Sequence, residues 1–97
     1  MKAEDFGLPV EEPHDIGSGA TITLLVHDGE VVGLNEAHSD KAGKPCLGFV
    51  AFEGAHFAGT RPTWKVEKAN PLTLSPSILC RTCGNHGYIR EGKWVSA

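Results

Sequence analysis

The sequence lacks the features of a large protein, of a disulfide-stabilised protein and of a membrane-spanning protein. It has 97 residues and three cysteines, and an odd number of cysteines argues against a framework of disulfides. No apolar run approaches the roughly 20 residues that a membrane-spanning helix needs. The N-terminal residues also lack the charged-then-apolar order of a signal peptide. We therefore expect a cytoplasmic protein with one small core, which is marginally stable at this size.

Acidic residues are scarce in the last third of the chain, although the formal net charge is −3. Residues 1–60 contain ten acidic residues and three lysines, whereas residues 61–97 contain two glutamates and six lysines or arginines. An anionic partner would therefore contact the C-terminal third.

Glycine and proline are abundant, with twelve and six residues, which indicates short elements and many turns. Residues 21–26 alternate in hydrophobicity, and Asp28-Gly29 tolerates the positive φ angles of a type I′ turn, so this region predicts a hairpin.

The polar residues 35–46 predict a loop, and Ser75-Pro76-Ser77 predicts a single helical turn before Cys80. Further strands are predicted over 47–52, 63–67, 72–75, 88–90 and 93–95.

The last two strands predict a terminal hairpin. Because glutamate disfavours positive φ, we expect Glu91 and Gly92 to belong to a three-residue loop with the glycine in the left-handed region. That register places Tyr88 opposite Trp94. We expect Trp94 to pack against Trp64 in the core.

Together these elements predict a mostly β, small single-domain fold that is zinc-ribbon-like, with short strands, hairpins and at most one short helical turn. Residues 1–19 are acidic and lack periodicity, so they predict an extended or flexible arm. Residues 20–97 would then form a single β domain held together by zinc.

The zinc prediction depends on the stretch around Cys80 and Cys83. Two thiolates separated by two residues can bind one metal ion from a tight turn, and His86 is close enough in sequence to join them. A structural zinc ion needs a fourth protein ligand. We predict Cys46, because a thiolate raises affinity for zinc, and we keep His38 and His56 as alternatives.

No pattern in the sequence indicates an enzyme. A zinc ion with four protein ligands keeps no open position for water, and we find no nucleophile–base pair elsewhere. We therefore predict a structural Zn²⁺ ion, no catalysis and no small-molecule substrate.

The C-terminal third also resembles a known family. The residues that carry the likeness are Trp64-x-Val66, Leu72–Ile78, Cys83-x-x-His86 and Ile89-Arg90-x-Gly92. With them the chain resembles a family of small bacterial and phage proteins that end in this pattern and have a predicted zinc site. The variant Cys80-x-x-Cys83-Gly84 is similar to actinophage members. The resemblance implies that Cys83 and His86 form half of a metal site and that the protein is of phage origin, and it implies no activity.

These observations favour a small, phage-encoded zinc-binding protein that acts as a non-catalytic interaction module in the host cytoplasm. Its partner would be another protein or a second copy of the chain, contacted by the acidic arm. The alternative is a nucleic-acid-binding zinc ribbon that uses the basic residues interleaved with Trp64, Tyr88 and Trp94. We favour the interaction module because the acidic arm would repel phosphates.

Overall fold

The computed structural model describes residues 1–55 and 62–97, which form one four-residue helix and nine short strands. The fold is a small, mostly β domain, as the sequence predicts. The elements in chain order are α1 Ala3–Phe6, β1 Pro13–Gly17, β2 Ala20–His27, β3 Glu30–Ser39, β4 Pro45–Ala51, β5 Lys65–Ala69, β6 Leu72–Ser75, β7 Ile78–Leu79, β8 His86–Arg90 and β9 Lys93–Ser96. No helix within these two described ranges is long and apolar enough to cross a membrane.

A four-stranded antiparallel sheet in the order β1-β2-β3-β4 is formed by the first half of the chain. Its β2–β3 hairpin turns through Asp28 and Gly29, whose φ angles of 51° and 78° are those of the predicted type I′ turn. Leu24 lies opposite Leu34, and Leu34 lies opposite Val50. All three of these apolar side chains are buried. The alternation of apolar residues therefore places one face of the sheet in the core.

The predicted loop at residues 35–46 is wrong. β3 and β4 pair through most of it and leave residues 40–44 as the turn. One carboxylate oxygen of Asp40 accepts two backbone N–H hydrogen bonds there, at 2.8 and 2.9 Å. The sequence predicts a loop here because the buried side chains of this stretch are polar. Glu36 is 3% exposed, and the side chain of His38 is nearly as well buried.

Residues 1–19, for which the sequence predicts an extended or flexible arm, contain α1 and β1. β1 pairs with β2 at the edge of the large sheet. Phe6 and Ile16 are buried in the core, and the Phe6 ring stacks on that of Phe52 at a centroid distance of 6.0 Å. The segment therefore contributes apolar side chains to the same core as the rest of the chain.

The second half of the chain forms two smaller antiparallel sheets, β5-β6 and β7-β8-β9. The β8–β9 hairpin turns through two residues, so the predicted three-residue loop is wrong. Glu91 and Gly92 both have positive φ angles, 51° and 76°. The register places Ile89, and not Tyr88, opposite Trp94.

Contacts from β5 and β6 hold Glu91 in the left-handed region. The Glu91 N–H donates a hydrogen bond to Thr73 Oγ1 at 3.0 Å, and its carboxylate lies 2.9 Å from Lys68 Nζ. The Gly92 N–H donates to the Leu72 carbonyl at 2.8 Å. These contacts help to offset the cost of about 1–2 kcal/mol that the left-handed conformation carries for a residue with a Cβ.

Trp94 fills a closely packed place in the core. Its side chain is 7% exposed, and it belongs to one apolar cluster with residues of the large sheet. Trp64 is partly buried against the same cluster. Gly87 faces the indole ring so closely that a Cβ at this position would come within 2.6 Å of it. The terminal hairpin is thus part of the core.

Replacing Trp94 by alanine is expected to lower the free energy of unfolding by about 3–5 kcal/mol, because a buried indole leaves a cavity in a close-packed site. Guanidinium denaturation followed by far-UV circular dichroism measures the change. The matched control is Val95→Ala, which removes an exposed side chain from the same strand and should change stability by about 0.5 kcal/mol or less. Equal midpoints for the two variants would place the Trp94 side chain outside the core.

Candidate functional site: a cysteine–histidine group beside a serine–histidine pair

The turn between β7 and β8, residues 80–85, is called here the cysteine turn. Two backbone hydrogen bonds close it: the Gly84 N–H donates to the Cys80 carbonyl at 2.7 Å, and the Cys80 N–H donates to the Asn85 carbonyl at 2.8 Å. Gly84 has a φ angle of 80°, which favours glycine. The turn therefore brings Cys80 and Cys83 close together, as their spacing in the sequence predicts.

Four side chains from two sheets meet at the cysteine turn. His38 and Cys46 lie opposite each other on β3 and β4, and Cys80 and Cys83 come from the turn itself. One ligand atom from each of the four residues lies within 4.8 Å of all the others. His38 Nε2 lies 3.2 Å from Cys83 Sγ. This group, called here the Cys₃His group, could bind a metal ion.

The donor atoms of the Cys₃His group fit a tetrahedral ion. Bonds of about 2.0–2.1 Å to nitrogen and 2.3 Å to sulfur place the ligand atoms of a tetrahedral zinc site about 3.5–3.8 Å apart. The observed spacing is of that order. Two of the four residues lie on the large sheet and two on the cysteine turn, so a shared ion would cross-link these two parts of the fold.

Electrostatics in the Cys₃His group favour charge on Cys80 and His38. Burial lowers the pKa of His38, but hydrogen bonds with Cys83 and Glu36 outweigh it and raise that pKa to about 9. The backbone N–H of Cys83 is the main cause that lowers the pKa of Cys80 to about 7. Burial raises the pKa of Cys46 to about 12. A bound cation would have to displace the protons of Cys46 and His38, because metal ligands bind in their deprotonated forms.

Glu36 orients His38 within the group. Its Oε2 lies 2.7 Å from His38 Nδ1, and both side chains are almost fully buried. Because Nδ1 is held by this carboxylate, Nε2 is the nitrogen that points to Cys83. Metal-binding histidines commonly donate the N–H of their other ring nitrogen to a carboxylate in this way. Glu36 is absent from the residues that the sequence predicts for the site, although its spacing of two residues from His38 on one face of a strand is a signal for the pair.

Three of the four predicted ligands, Cys46, Cys80 and Cys83, are brought together by the structure. The remaining member of the group is His38, which the sequence predicts only as an alternative to Cys46. His86, which the sequence predicts as a ligand together with Cys80 and Cys83, lies outside the group, and its Nε2 is instead 2.8 Å from Ser77 Oγ. His56 lies outside the described residues.

Strand pairing explains where His86 lies. The predicted helical turn before Cys80 is wrong, because residues 78–79 form β7 and pair with the start of β8. His86 lies opposite Leu79 in this ladder. Ser77 precedes Leu79 by two residues and so lies on the same face, which makes Ser77 a diagonal neighbour of His86. Ser77 is the residue that immediately precedes β7 and is half-buried.

Ser77 and His86 are held by further contacts on either side. Trp64 Nε1 donates a hydrogen bond to the Ser77 carbonyl at 3.1 Å, which ties the serine backbone to the segment before β5. The His86 ring stacks on the Tyr88 ring at 6.5 Å with an interplanar angle of 30°. His86 is exposed, so the pair is open to a ligand from solvent. A serine hydroxyl within hydrogen-bond distance of an imidazole is a nucleophile–base arrangement.

Comparison with known proteins supplies the family. Residues 25–97 match the family model described as bacterial ubiquitination-like system serine protease (BubE). The chain belongs to this family. No match is found among curated proteins or among solved structures.

The family corrects the functional prediction. From the sequence we predict a non-catalytic interaction module, with a nucleic-acid-binding zinc ribbon as the alternative, and we predict that the chain is not an enzyme. Both expectations are wrong, because the family is one of serine proteases. The prediction fails because the short distance in sequence between Cys83 and His86 indicates a metal ligand. With His86 counted as a metal ligand, the sequence offers no general base for Ser77.

His38 and His86 give a direct test of the Cys₃His group. We expect the purified protein to hold one equivalent of metal, and His38→Ala or Cys83→Ser to lose most of it, because three remaining ligands bind more weakly. His86→Ala is the matched control and should keep the metal. Plasma mass spectrometry after gel filtration measures the content. Loss of metal in His86→Ala with retention in His38→Ala would reassign the fourth ligand.

Glu36→Gln is expected to weaken metal affinity about 10–100-fold, because the neutral amide holds the His38 ring less firmly and lowers its basicity. Competition with a chromophoric chelator measures the affinity. Glu12→Gln makes the same chemical change at an exposed position and should leave affinity unchanged. Identical affinities for the two variants would show that Glu36 has no influence on the group.

Proposed function

We propose that the protein is a serine peptidase in which Ser77 Oγ is the nucleophile and His86 Nε2 is the general base. The observation that carries the proposal is the 2.8 Å distance between these two atoms. The family to which the chain belongs is described as one of serine proteases, which supports a serine as the nucleophile.

The pair can perform both halves of acyl transfer. Ser77 Oγ attacks the carbonyl carbon of the scissile amide while its proton passes to His86 Nε2. The tetrahedral intermediate collapses, the C–N bond breaks, and His86 returns the proton to the leaving amine. A water molecule then attacks the acyl-serine ester and gives its proton to His86. The second tetrahedral intermediate then collapses, the C–O bond to Ser77 breaks, and His86 returns the proton to Ser77 Oγ as the acid product leaves.

The other histidines with described contacts are less suited to this role. His14 Nε2 contacts the Pro9 carbonyl at 3.1 Å, His27 lies 3.4 Å from an Asp28 carboxylate oxygen, and His38 is enclosed in the Cys₃His group. His86 is exposed and has a hydroxyl as its partner. It is therefore the imidazole best placed to accept a proton from a nucleophile.

Zinc is the ion we propose for the Cys₃His group, with a structural role. Three thiolates and one imidazole are preferred ligands of zinc, and four protein ligands leave no open position for substrate. The ion would hold the cysteine turn, and with it β7 and β8, against the large sheet. The three free cysteines suit a reducing compartment, which supports the predicted cytoplasmic location.

The partner we propose is the polypeptide substrate. The family description places these proteases in a bacterial ubiquitination-like system, so we propose a protein of such a system as the substrate. This replaces the binding partner expected from the sequence. Phage origin stays a prediction.

Covalent labelling tests the nucleophile. A fluorophosphonate reacts with an activated serine, because the oxygen displaces fluoride from phosphorus. Intact-protein and peptide mass spectrometry should locate the adduct on Ser77. Ser77→Ala should abolish labelling, and His86→Ala should slow it by about a hundredfold or more, because the general base is lost.

The matched control is Ser75→Ala. Ser75 lies two residues from Ser77, and its hydroxyl donates to Glu67 at 3.1 Å rather than to an imidazole. This variant should label like the unmodified protein. If the reagent does not modify Ser77 in metal-replete protein, or if His86→Ala labels at the normal rate, the proposed pair is wrong.

A further inference from the structure

A groove lies between β4 and the segment that follows Ser77. It has a volume of about 250 Å³ and is lined mainly by residues 47–50 on one side and 78–82 on the other, with Trp64 also contributing. Trp64 donates to the Ser77 carbonyl and Ile78 follows Ser77 directly, so two lining residues of the groove are immediate neighbours of the proposed nucleophile.

Both walls of the groove are edges of sheets. β4 is the last strand of the four-stranded sheet, and β7 is an outer strand of the three-stranded sheet. An edge strand presents backbone donors and acceptors on which another chain can add a strand. The groove therefore offers main-chain hydrogen bonds in addition to an apolar surface.

The hydrogen-bond pattern identifies the free backbone groups of β7. The Cys80 N–H donates to the Asn85 carbonyl, and the His86 carbonyl accepts from Ala97 on the other side of β8. Because hydrogen-bonded and non-hydrogen-bonded pairs alternate in an antiparallel ladder, the pair of Leu79 with His86 is a non-hydrogen-bonded one. The N–H and C=O of Leu79 therefore point away from β8, towards the open edge.

Two leucines expose apolar surface in the groove. Leu47 is 73% exposed and Leu79 is 55% exposed, among the few large apolar side chains exposed in the described part of the chain. Leu47 directly follows Cys46 and Leu79 directly precedes Cys80. Since these two cysteines belong to the Cys₃His group, the cluster that joins the two sheets also positions one leucine on each wall of the groove.

We propose that this groove binds the substrate as an extended polypeptide strand that pairs with the backbone of Leu79 and places an apolar side chain between Leu47 and Leu79. The inference rests on the proposed peptidase function and adds a substrate class: an unfolded or extended segment with an apolar residue close to the cleaved bond. Leu79 lies two residues after Ser77, a span of about 7 Å in a strand. The apolar residue is accordingly about two positions from the cleaved bond.

The test uses a proteome-derived library of short peptides, with cleavage sites read by mass spectrometry. The unmodified protein should cut at bonds that have an apolar residue about two positions away. Leu79→Pro removes one outward N–H, a change that edge strands tolerate, whereas Leu79→Ala keeps it. Leu79→Pro should lower kcat/KM about tenfold relative to Leu79→Ala, the effect of one lost hydrogen bond. Fluorophosphonate labelling of Ser77 and the metal content should stay unchanged.

Leu47→Lys provides a second variant that leaves β7 intact. Leu47→Lys should abolish the preference for an apolar residue near the cleaved bond. If Leu79→Pro loses its metal and unfolds, this variant alone tests whether the groove binds the substrate. Absence of labelling in the unmodified protein would overturn the peptidase itself. Three outcomes would overturn only the proposal that the groove binds the substrate. They are labelling without cleavage of the library, cleavage without an apolar preference, and an unchanged preference in Leu47→Lys.

Discussion

The contact of His38 and Cys46 with the two cysteines of the cysteine turn is the constraint on which the second half of the fold depends. His38 and Cys46 belong to the large sheet, whereas Cys80 and Cys83 belong to a turn that regular strand pairing does not join to it. A four-ligand metal site contributes on the order of 10 kcal/mol, comparable to the whole stability of a small domain. An ion in this group would therefore determine where β7, β8 and the residues between them lie.

The proposed chemistry and the proposed metal site share one short hairpin. Only two residues separate Cys83 from His86 in the sequence, yet their side chains take part in different groups. The cysteine turn closes on itself through backbone hydrogen bonds, and β8 begins immediately after it. A structural ion on one side of the turn can thereby position a general base on the other side without contacting substrate.

Several features of the fold could be predicted because they depend on neighbouring residues. Asp28-Gly29 makes a type I′ turn by its own conformational preference, and the flanking alternation supplies the strands. Cys80 and Cys83 lie in one tight turn for the same reason. The strand character of residues 35–46 could not be recognised in this way, because the polar side chains of Glu36 and His38 are buried by residues distant in the sequence.

The sequence by itself determined the mostly β class, the β2–β3 hairpin and the proximity of two of the cysteines, since each follows from backbone preferences over a few residues. Only the tertiary structure decided which histidine lies with the cysteines and which lies with a serine. His38 is 45 residues from Cys83, and pairing of β3 with β4 brings it there. His86 is nine residues from Ser77, and pairing of β7 with β8 joins them. Spacing along the chain favoured His86 as a ligand, but the direction of a side chain from its strand is set by the ladder to which the strand belongs.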